Sequence, residues 1–167
     1  MRDSVPQPEP RLNYGEQSPE LVKKVVELGT AIEKSGQLDP LLGYLVDIRA
    51  SQMNGCALCL DMHVKQAKLQ GERELRLYHV AIWRDSPLFT AKERAALALT
   101  EALTHLEPTG VCDDLYAEVR EQFDARQLVT LVFRIMAINA WNRANITFRT
   151  TPGVLDKAYG LDKAGLA

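Results

Sequence analysis

The sequence predicts an all-α fold, and two patterns in it support that prediction. Apolar residues recur at helical spacing through seven separate segments, and no strand–helix–strand alternation interrupts them. The 167 residues fit one domain, with 46% hydrophobic and 25% charged residues, as in ordinary globular proteins. We therefore expect a single bundle of about seven helices.

Each predicted helix is marked by a capping residue, a proline in the first turn or a terminating glycine. The predicted helices span residues 18–36, 39–54, 56–70, 72–83, 90–106, 113–123 and 124–146. Ser18 is the predicted N-cap of the first helix. Two later helices start with capping boxes, formed by Thr90 with Glu93 and by Asp124 with Gln127.

The chain divides into an arm, a helical domain and a tail. Residues 1–17 hold three prolines and few apolar side chains, which predicts an extended N-terminal arm. Residues 18–150 form the helical domain, and residues 151–167 form the C-terminal tail. The last helix of the domain is apolar around most of its circumference. It therefore needs cover on nearly all sides, from its own domain or from another subunit.

Composition excludes several classes of protein. The formal net charge is −2 and the basic residues are scattered, which argues against a nucleic-acid surface. No segment approaches the roughly 20 uninterrupted apolar residues of a membrane span. The first residues lack the apolar run of a secretory signal, and three cysteines are too few for a disulfide framework. We expect a cytoplasmic protein that binds neither membrane nor nucleic acid.

One short stretch, NGCALCLDMH, carries the chemistry. Its Cys56, Cys59 and His63 fall at spacings of three and four residues, which places them along one stripe of a helix. Unpaired N–H groups at a helix start favour a thiolate, and a neighbouring histidine adds to that effect. We expect the helix start and His63 together to make a reactive thiol at neutral pH.

Two other interpretations of the stretch remain open. A zinc site needs four ligands, and beyond these three only Cys112, His79 and His105 are of a suitable type. The three residues could also be ordinary core residues. A thioredoxin scaffold is excluded because the βαβ context of its CxxC motif is missing.

The segment LVDIRASQMNGCALCLDMHVKQAKLQGE resembles the core of the carboxymuconolactone decarboxylase superfamily, in its AhpD-like alkylhydroperoxidase branch. The stretches RLNYGEQSPE, IWRDSPLFTAKERAALALTEALT and INAWNR fit as well, so that the resemblance covers roughly residues 11–150. It implies an AhpD-like helical bundle that assembles as a homo-oligomer, a trimer or hexamer. We expect residues 127–145 to be partly buried between or beneath the subunits.

The resemblance also implies a role for each residue of the motif. Cys59 corresponds to the peroxide-attacking thiol, Cys56 to the resolving thiol and His63 to the proton relay. The spacing agrees, because Cys59 is one turn from His63. Cys56 lies nearer the helix start, which alone would favour it as the nucleophile, and we expect it to be exposed to a reductant.

One position departs from the family pattern ELVxLRxSQxNGC. Tyr44 stands where the family often has a glutamate, and a phenol is a poor general base at neutral pH. Asp47 follows one turn later, and we expect its side chain to point elsewhere around the helix.

Motif and resemblance together predict a thiol-dependent peroxidase with no cofactor and no metal. It would reduce hydroperoxides through a Cys56–Cys59 disulfide, which an external dithiol must reset. The resemblance implies a lipoyl-carrying protein or another thiol carrier as that dithiol. The alternative is an oligomeric redox-sensing or interaction protein whose CxxC pair reacts slowly. Cys112 lies beside two aspartates, which oppose thiolate formation, and we expect it to play no part.

Overall fold

The computed structural model describes residues 9–166 and confirms the all-α prediction. Within that range the chain forms nine α-helices and two short 3-10 helices, with no β-strand. The α-helices are α1 (Tyr14–Gln17), α2 (Pro19–Lys34), α3 (Pro40–Asn54), α4 (Ala57–Leu69), α5 (Glu74–His79), α6 (Ala91–Thr104), α7 (Asp113–Gln122), α8 (Ala125–Phe148) and α9 (Asp156–Tyr159). The seven predicted helices are α2 to α8. No helix within residues 9–166 has the length and hydrophobicity of a membrane span.

Most of the predicted helix starts are confirmed in atomic detail. The capping boxes of Thr90 with Glu93 and of Asp124 with Gln127 are both formed. Ser18 is the exception, because it makes no side-chain cap bond. Ser18 flanks two helices. It is the C-cap of α1, where its backbone N–H donates to the Tyr14 carbonyl, and α2 begins at the next residue.

The junction between α3 and α4 positions the CxxC motif. The Asp39 carboxylate starts α3 by accepting N–H bonds from Leu41 and Leu42 at 2.8 and 3.2 Å. Gly55 ends it in the left-handed conformation, with φ 72°, which glycine adopts at little cost. Cys56 follows directly as the N-cap of α4, so the first cysteine stands in a tight turn between two helices.

Helix α3 is the central element, and it packs against α4, α6 and α8. Eight of its residues are buried, which agrees with a helix that is covered on all sides. The main core lies between α3, α6, α7 and α8, and a second core lies between α3 and helices α4 to α6. A third, small cluster joins Ala50, both CxxC cysteines and Ile138 beneath Trp141. This last cluster is the floor of the candidate site.

The arm and the tail both pack near the CxxC motif. The arm contains one helical turn, α1, in a stretch for which an extended chain is predicted. The Arg11 N–H donates to the Phe148 carbonyl at 2.9 Å, which fixes the arm to the end of α8. In the tail, the Asp156 carboxylate lies 2.6 Å from Nζ of Lys65, a buried residue of α4. Both ends of the described chain therefore contact the helices that carry the site.

Helix α8 is only half covered in the single chain. Its buried side includes Leu131 and Ile135, whereas Val129, Phe133 and Met136 are 57%, 43% and 54% exposed. The apolar residues on one side of α8 are therefore buried within the chain, as predicted, and an apolar stripe on its other side remains exposed.

Candidate active site

Cys59 lies in the first turn of α4 and carries the most favourable surroundings for a thiolate. Its sulfur accepts a hydrogen bond from the side-chain amide of Asn145 at 3.4 Å. The Cys56 thiol and the Asn142 amide act as further donors that favour its charged form. The bond from Cys56 is the largest influence. Burial and the negative charge of Asp47 oppose the donors, but together the donors lower the pKa of Cys59 from 9.0 to about 7.

Cys56 is held as the protonated partner. Its thiol proton is engaged by Cys59, and burial and the charge on Cys59 raise its pKa further. The Cys59 backbone N–H donates to the Cys56 sulfur at 3.4 Å. This bond lowers the pKa of Cys56, but its effect is smaller than those that raise it. The predicted exposure of Cys56 is wrong: both cysteines are only 2% exposed. The small side chain of Cys56 fits under the helix junction, in the cluster with Ala50 and Ile138.

A row of asparagines on α8 holds the thiol pair, and the sequence interpretation missed it. Asn142 accepts from Asn54 at 2.8 Å and donates to Ser51 at 3.1 Å, and Asn139 also accepts from Asn54. Asn145 donates to Cys59. The signal is present in INAWNRAN, where three asparagines at three-residue spacing interrupt an otherwise apolar helix. Buried amides of this kind need partners, and here the partners are Ser51 and Asn54 at the end of α3, Thr104 of α6 and the Cys59 sulfur.

Tyr14 of the arm orients one of these amides. Its hydroxyl donates to Asn145 Oδ1 at 2.9 Å. With the oxygen occupied in this way, the NH₂ group of the same amide faces Cys59. The arm is thereby connected to the thiol through two hydrogen bonds.

His63 lies one turn beyond Cys59, with its side chain only 12% exposed. Its Nδ1 lies 2.8 Å from Gln66 Oε1 and 3.5 Å from Asp47 Oδ2. Both neighbours are acceptors, so Nδ1 carries the proton and Nε2 is left as the base. Burial lowers the pKa of His63, although Asp47 opposes that shift, and the imidazole is neutral at pH 7. His63 therefore supplies no positive charge to Cys59, contrary to the sequence expectation.

Asp47 belongs to the site, and its predicted orientation is wrong. It is 3% exposed, it lies beside His63, and its carboxylate accepts two bonds from Arg134 of α8, at 2.5 and 3.2 Å. Residues three apart on a helix share a face, which explains why Tyr44 and Asp47 lie on the same side. Gly43 leaves room for the ion pair of Asp47 with Arg134, because a Cβ at Gly43 would come within 2.6 Å of the Arg134 guanidinium.

Tyr44 completes the wall around His63. Its ring centre is 6.4 Å from that of His63, and the Arg134 guanidinium lies 5.7 Å from the same ring. Burial raises the pKa of Tyr44, with a partly opposing effect of Arg134, so the phenol is neutral and can only donate or accept a hydrogen bond. The base function of a glutamate at this position is absent, and the carboxylates that act on Tyr44 are those of Glu33 and Asp47.

A cavity of about 880 Å³ opens beside these residues. Cys59, His63, Asp47 and Tyr44 all line it, and so do the arm, the tail and the apolar face of α2. No hydrogen bond joins His63 to Cys59 among the described residues, although both face the same space. A substrate oxygen in this cavity can therefore bridge the sulfur and the imidazole.

Comparison with known proteins places the chain in a family. The model of the carboxymuconolactone decarboxylase family matches residues 19–102, which include α3, α4 and most of α6. The chain belongs to the carboxymuconolactone decarboxylase family. One curated relative of this family member is the uncharacterized protein YdfG of Bacillus subtilis, which is 40% identical to it over 136 residues. That match covers 81% of this chain and 92% of YdfG.

Solved structures with the same fold describe this carboxymuconolactone decarboxylase family member more closely. A protein of unknown function from Agrobacterium tumefaciens, described as a candidate AhpD antioxidant defence protein, has a TM-score of 0.83 and 38% identity. It covers 87% of this chain, and 99% of its own length is matched. The predicted AhpD-like fold is confirmed. The debrominase Bmp8 shares the fold alone, with a TM-score of 0.75, 18% identity and coverage of 89% of this chain and 79% of its own.

The remaining candidate ligands of this family member lie apart from the thiol pair. Cys112 is exposed at the start of α7, His105 is exposed at the end of α6, and His79 Nδ1 lies 3.0 Å from Ser86 Oγ. None of the three lines the cavity. In the part of the chain that the structure describes, no three His, Cys, Asp or Glu side chains are grouped to hold a metal ion. The zinc interpretation gains no support.

Proposed function

We propose that the protein is a thiol-dependent peroxidase that reduces hydroperoxides, with Cys59 as nucleophile, Cys56 as resolving thiol and His63 as proton relay. The observation that supports this most directly is the environment of Cys59. It is a buried thiol whose pKa is lowered to about 7 by three side-chain donors, on the wall of a cavity that also holds a neutral histidine. A structural cysteine has no need of such donors.

In the first step the Cys59 thiolate attacks the terminal oxygen of the hydroperoxide. The S–O bond forms, the O–O bond breaks and the sulfur loses two electrons, giving a sulfenic acid and an alcohol. The leaving alkoxide requires a proton. His63 takes a proton at Nε2 when the thiolate forms and returns it to that oxygen, while Asp47 and Gln66 hold Nδ1–H.

In the second step Cys56 attacks the sulfenic sulfur, and water leaves as the Cys56–Cys59 disulfide forms. The Cys56 sulfur already accepts a bond from the Cys59 backbone N–H at 3.4 Å, and the two cysteines share one buried cluster, so the step requires little movement. An external dithiol then reduces the disulfide and is itself oxidised. A lipoyl-carrying protein or another thiol carrier is the proposed donor class.

A stoichiometric thiol count tests the proposal. The fully reduced protein is mixed with one equivalent of an organic hydroperoxide, and free thiols are counted against time. We expect two of the three thiols to be lost within seconds and Cys112 to remain. Loss of one thiol, or of none, contradicts a mechanism through the CxxC pair.

A redox sensor is the second candidate, and Tyr44 is the observation that favours it. Without a glutamate at this position the relay rests on His63 and on an Asp47 already paired with Arg134. The same thiol count separates the two functions. A sensor loses both thiols over many minutes, and catalytic amounts of it consume no hydroperoxide when a dithiol is supplied.

We further propose a homo-oligomer, a trimer or hexamer, in which α8 packs against another subunit. The apolar stripe of Val129, Phe133 and Met136 supports this, because soluble monomers rarely leave such a stripe uncovered. Sedimentation at micromolar concentration measures the mass. A monodisperse 18.7 kDa species contradicts the proposal.

A further inference from the structure

Reduction of the disulfide poses a problem of access. A reductant must attack a sulfur that it can reach, yet Cys56 and Cys59 are each only 2% exposed. Cys59 lines the large cavity, but Cys56 does not. Cys56 instead lines a second, smaller pocket of about 210 Å³, which Cys59 does not line.

This second pocket lies at the junction of α4 with the end of α8. The residues that line it are Gly55, Cys56, Ala57, Leu58, Asn145, Ile146, Arg149, Thr150, Thr151 and Pro152. Four of them also line the large cavity, namely Leu58, Asn145, Thr150 and Thr151. These four form the wall between the two spaces, and the CxxC pair spans that wall with one cysteine on each side.

We propose that the second pocket is the access site of the reductant, so that hydroperoxide reaches Cys59 from one side and a dithiol reaches Cys56 from the other. This inference rests on the proposed peroxidase function and adds to it a binding site for the thiol donor.

The chemistry of thiol–disulfide exchange favours attack at Cys56. A thiolate of the donor attacks the Cys56 sulfur, a new S–S bond forms and the Cys56–Cys59 bond breaks. The electron pair leaves on Cys59, and a thiol with a low pKa leaves faster. Asn142 and Asn145 stabilise that leaving thiolate. The second thiol of the donor then attacks the donor sulfur of the mixed disulfide and releases Cys56 as a thiol.

The pocket also indicates the kind of donor. Its volume admits a slender chain that ends in thiols but excludes a folded protein surface. Arg149 is the charged residue among the described residues that line it, and this side chain is exposed. A donor with a negative charge close to its thiols therefore fits better than a neutral or cationic one.

Variants that obstruct each space in turn test the inference. Ile146→Trp and Pro152→Trp narrow the second pocket, since both positions are exposed and neither lines the large cavity. Val154→Trp is the matched control, because Val154 is 57% exposed and lines only the large cavity. All variants carry Cys112→Ser. Oxidation by an organic hydroperoxide and reduction by dithiothreitol are timed separately by stopped flow.

We expect Ile146→Trp and Pro152→Trp to slow reduction about tenfold and to leave oxidation within about twofold, and Val154→Trp to do the reverse. If reduction is unaffected in both pocket variants, or if each variant slows both steps equally, the two-sided arrangement is wrong. The disulfide is also prepared with diamide. Reduction can then be measured even if hydroperoxide does not react, and that outcome would refute the peroxidase function alone.

A series of monothiols with the same two-carbon chain tests the charge preference. 2-Mercaptoethanesulfonate, 2-mercaptoethanol and cysteamine each reduce the diamide-formed disulfide, and each rate is divided by that thiol's rate with a small model disulfide. We expect the normalised rate to be about threefold higher for the sulfonate than for cysteamine, and Arg149→Glu to reverse the order. An order that Arg149→Glu leaves unchanged overturns the assignment of an anionic donor.

Discussion

Cys56 and Cys59 stand three residues apart at the same helix start, yet their surroundings differ in kind. Cys59 has one thiol and two amides as donors that favour its charged form, and it faces a large cavity. Cys56 keeps its proton and faces a small pocket. The first arrangement stabilises a negative charge on sulfur, and the second stabilises a neutral thiol.

Magnitudes show which effect decides between them. Lowering the pKa of Cys59 from 9.0 to about 7 requires roughly 3 kcal/mol. A helix terminus supplies roughly 0.3–1 kcal/mol, and it favours a thiolate on Cys56, which stands nearer the helix start. Hydrogen bonds to a charged group contribute about 1.5–3 kcal/mol each. The difference between the two cysteines therefore comes from the donors around Cys59, first the Cys56 thiol and then the two asparagine amides of α8, rather than from the helix terminus.

The largest effect is expected when the two thiols are replaced in turn. Cys59→Ser should abolish the reaction with hydroperoxide, because the stabilised thiolate is gone. Cys56→Ser should react once and stop at a sulfenic acid on Cys59, which a dimedone-type probe traps and mass spectrometry locates. Labelling of Cys56 in the Cys59→Ser protein at the wild-type rate would reverse the assignment.

His63→Ala is expected to slow the first step by about 100-fold, since it removes the group that returns a proton to the leaving oxygen. The pKa of Cys59 should stay near 7, because a neutral imidazole without a bond to the sulfur does not stabilise the thiolate. Peroxide kinetics and the pH profile of Cys59 alkylation, in a Cys56→Ser background, measure the two quantities separately. A large rise of this pKa would show that His63 acts through the thiolate instead.

Asp47→Asn should increase the thiolate fraction of Cys59 and nevertheless slow the peroxide reaction. The negative charge of Asp47 raises the pKa of Cys59, so its removal should lower that pKa slightly and increase the thiolate fraction below pH 7. The peroxide reaction should nevertheless slow about tenfold, since His63 loses a partner and Arg134 its carboxylate. A rate that rises with the thiolate fraction would mean that the orientation of His63 does not matter. Gly43→Ala displaces Arg134 and leaves Asp47 in place, which makes it a useful companion variant.

Asn145→Ala removes one donor from Cys59, at 3.4 Å, and should raise its pKa by about 1 unit, the low end for a hydrogen bond to a charged group. Alkylation then follows a profile shifted to higher pH, and the rate at pH 7 falls a few-fold. Tyr14→Phe keeps the amide but frees its orientation, so it should shift the profile in the same direction by less. Equal shifts in both variants would indicate a general loosening of the site.

The sequence predicted what depends on local chemistry. Caps such as Thr90 with Glu93 act within one turn, and the CxxC turn follows from Gly55. It did not predict the partners of the thiols, because Asn142 and Asn145 are more than eighty residues away and only packing of α8 on α4 brings them to the sulfur. The burial of Cys56 depends on the same packing.

The smallest effect is expected at Cys112, which provides the control for every thiol measurement. It is the N-cap of α7, it is exposed, and it lines neither the large cavity nor the second pocket. Its side chain makes no cap bond, so Cys112→Ser removes no interaction that the helix uses and places a good capping hydroxyl there. Peroxidase activity should stay within about twofold of the unsubstituted protein, and the thermal midpoint should be unchanged or slightly higher. A large loss of activity with normal stability would assign Cys112 to the redox cycle and require a third thiol in the mechanism.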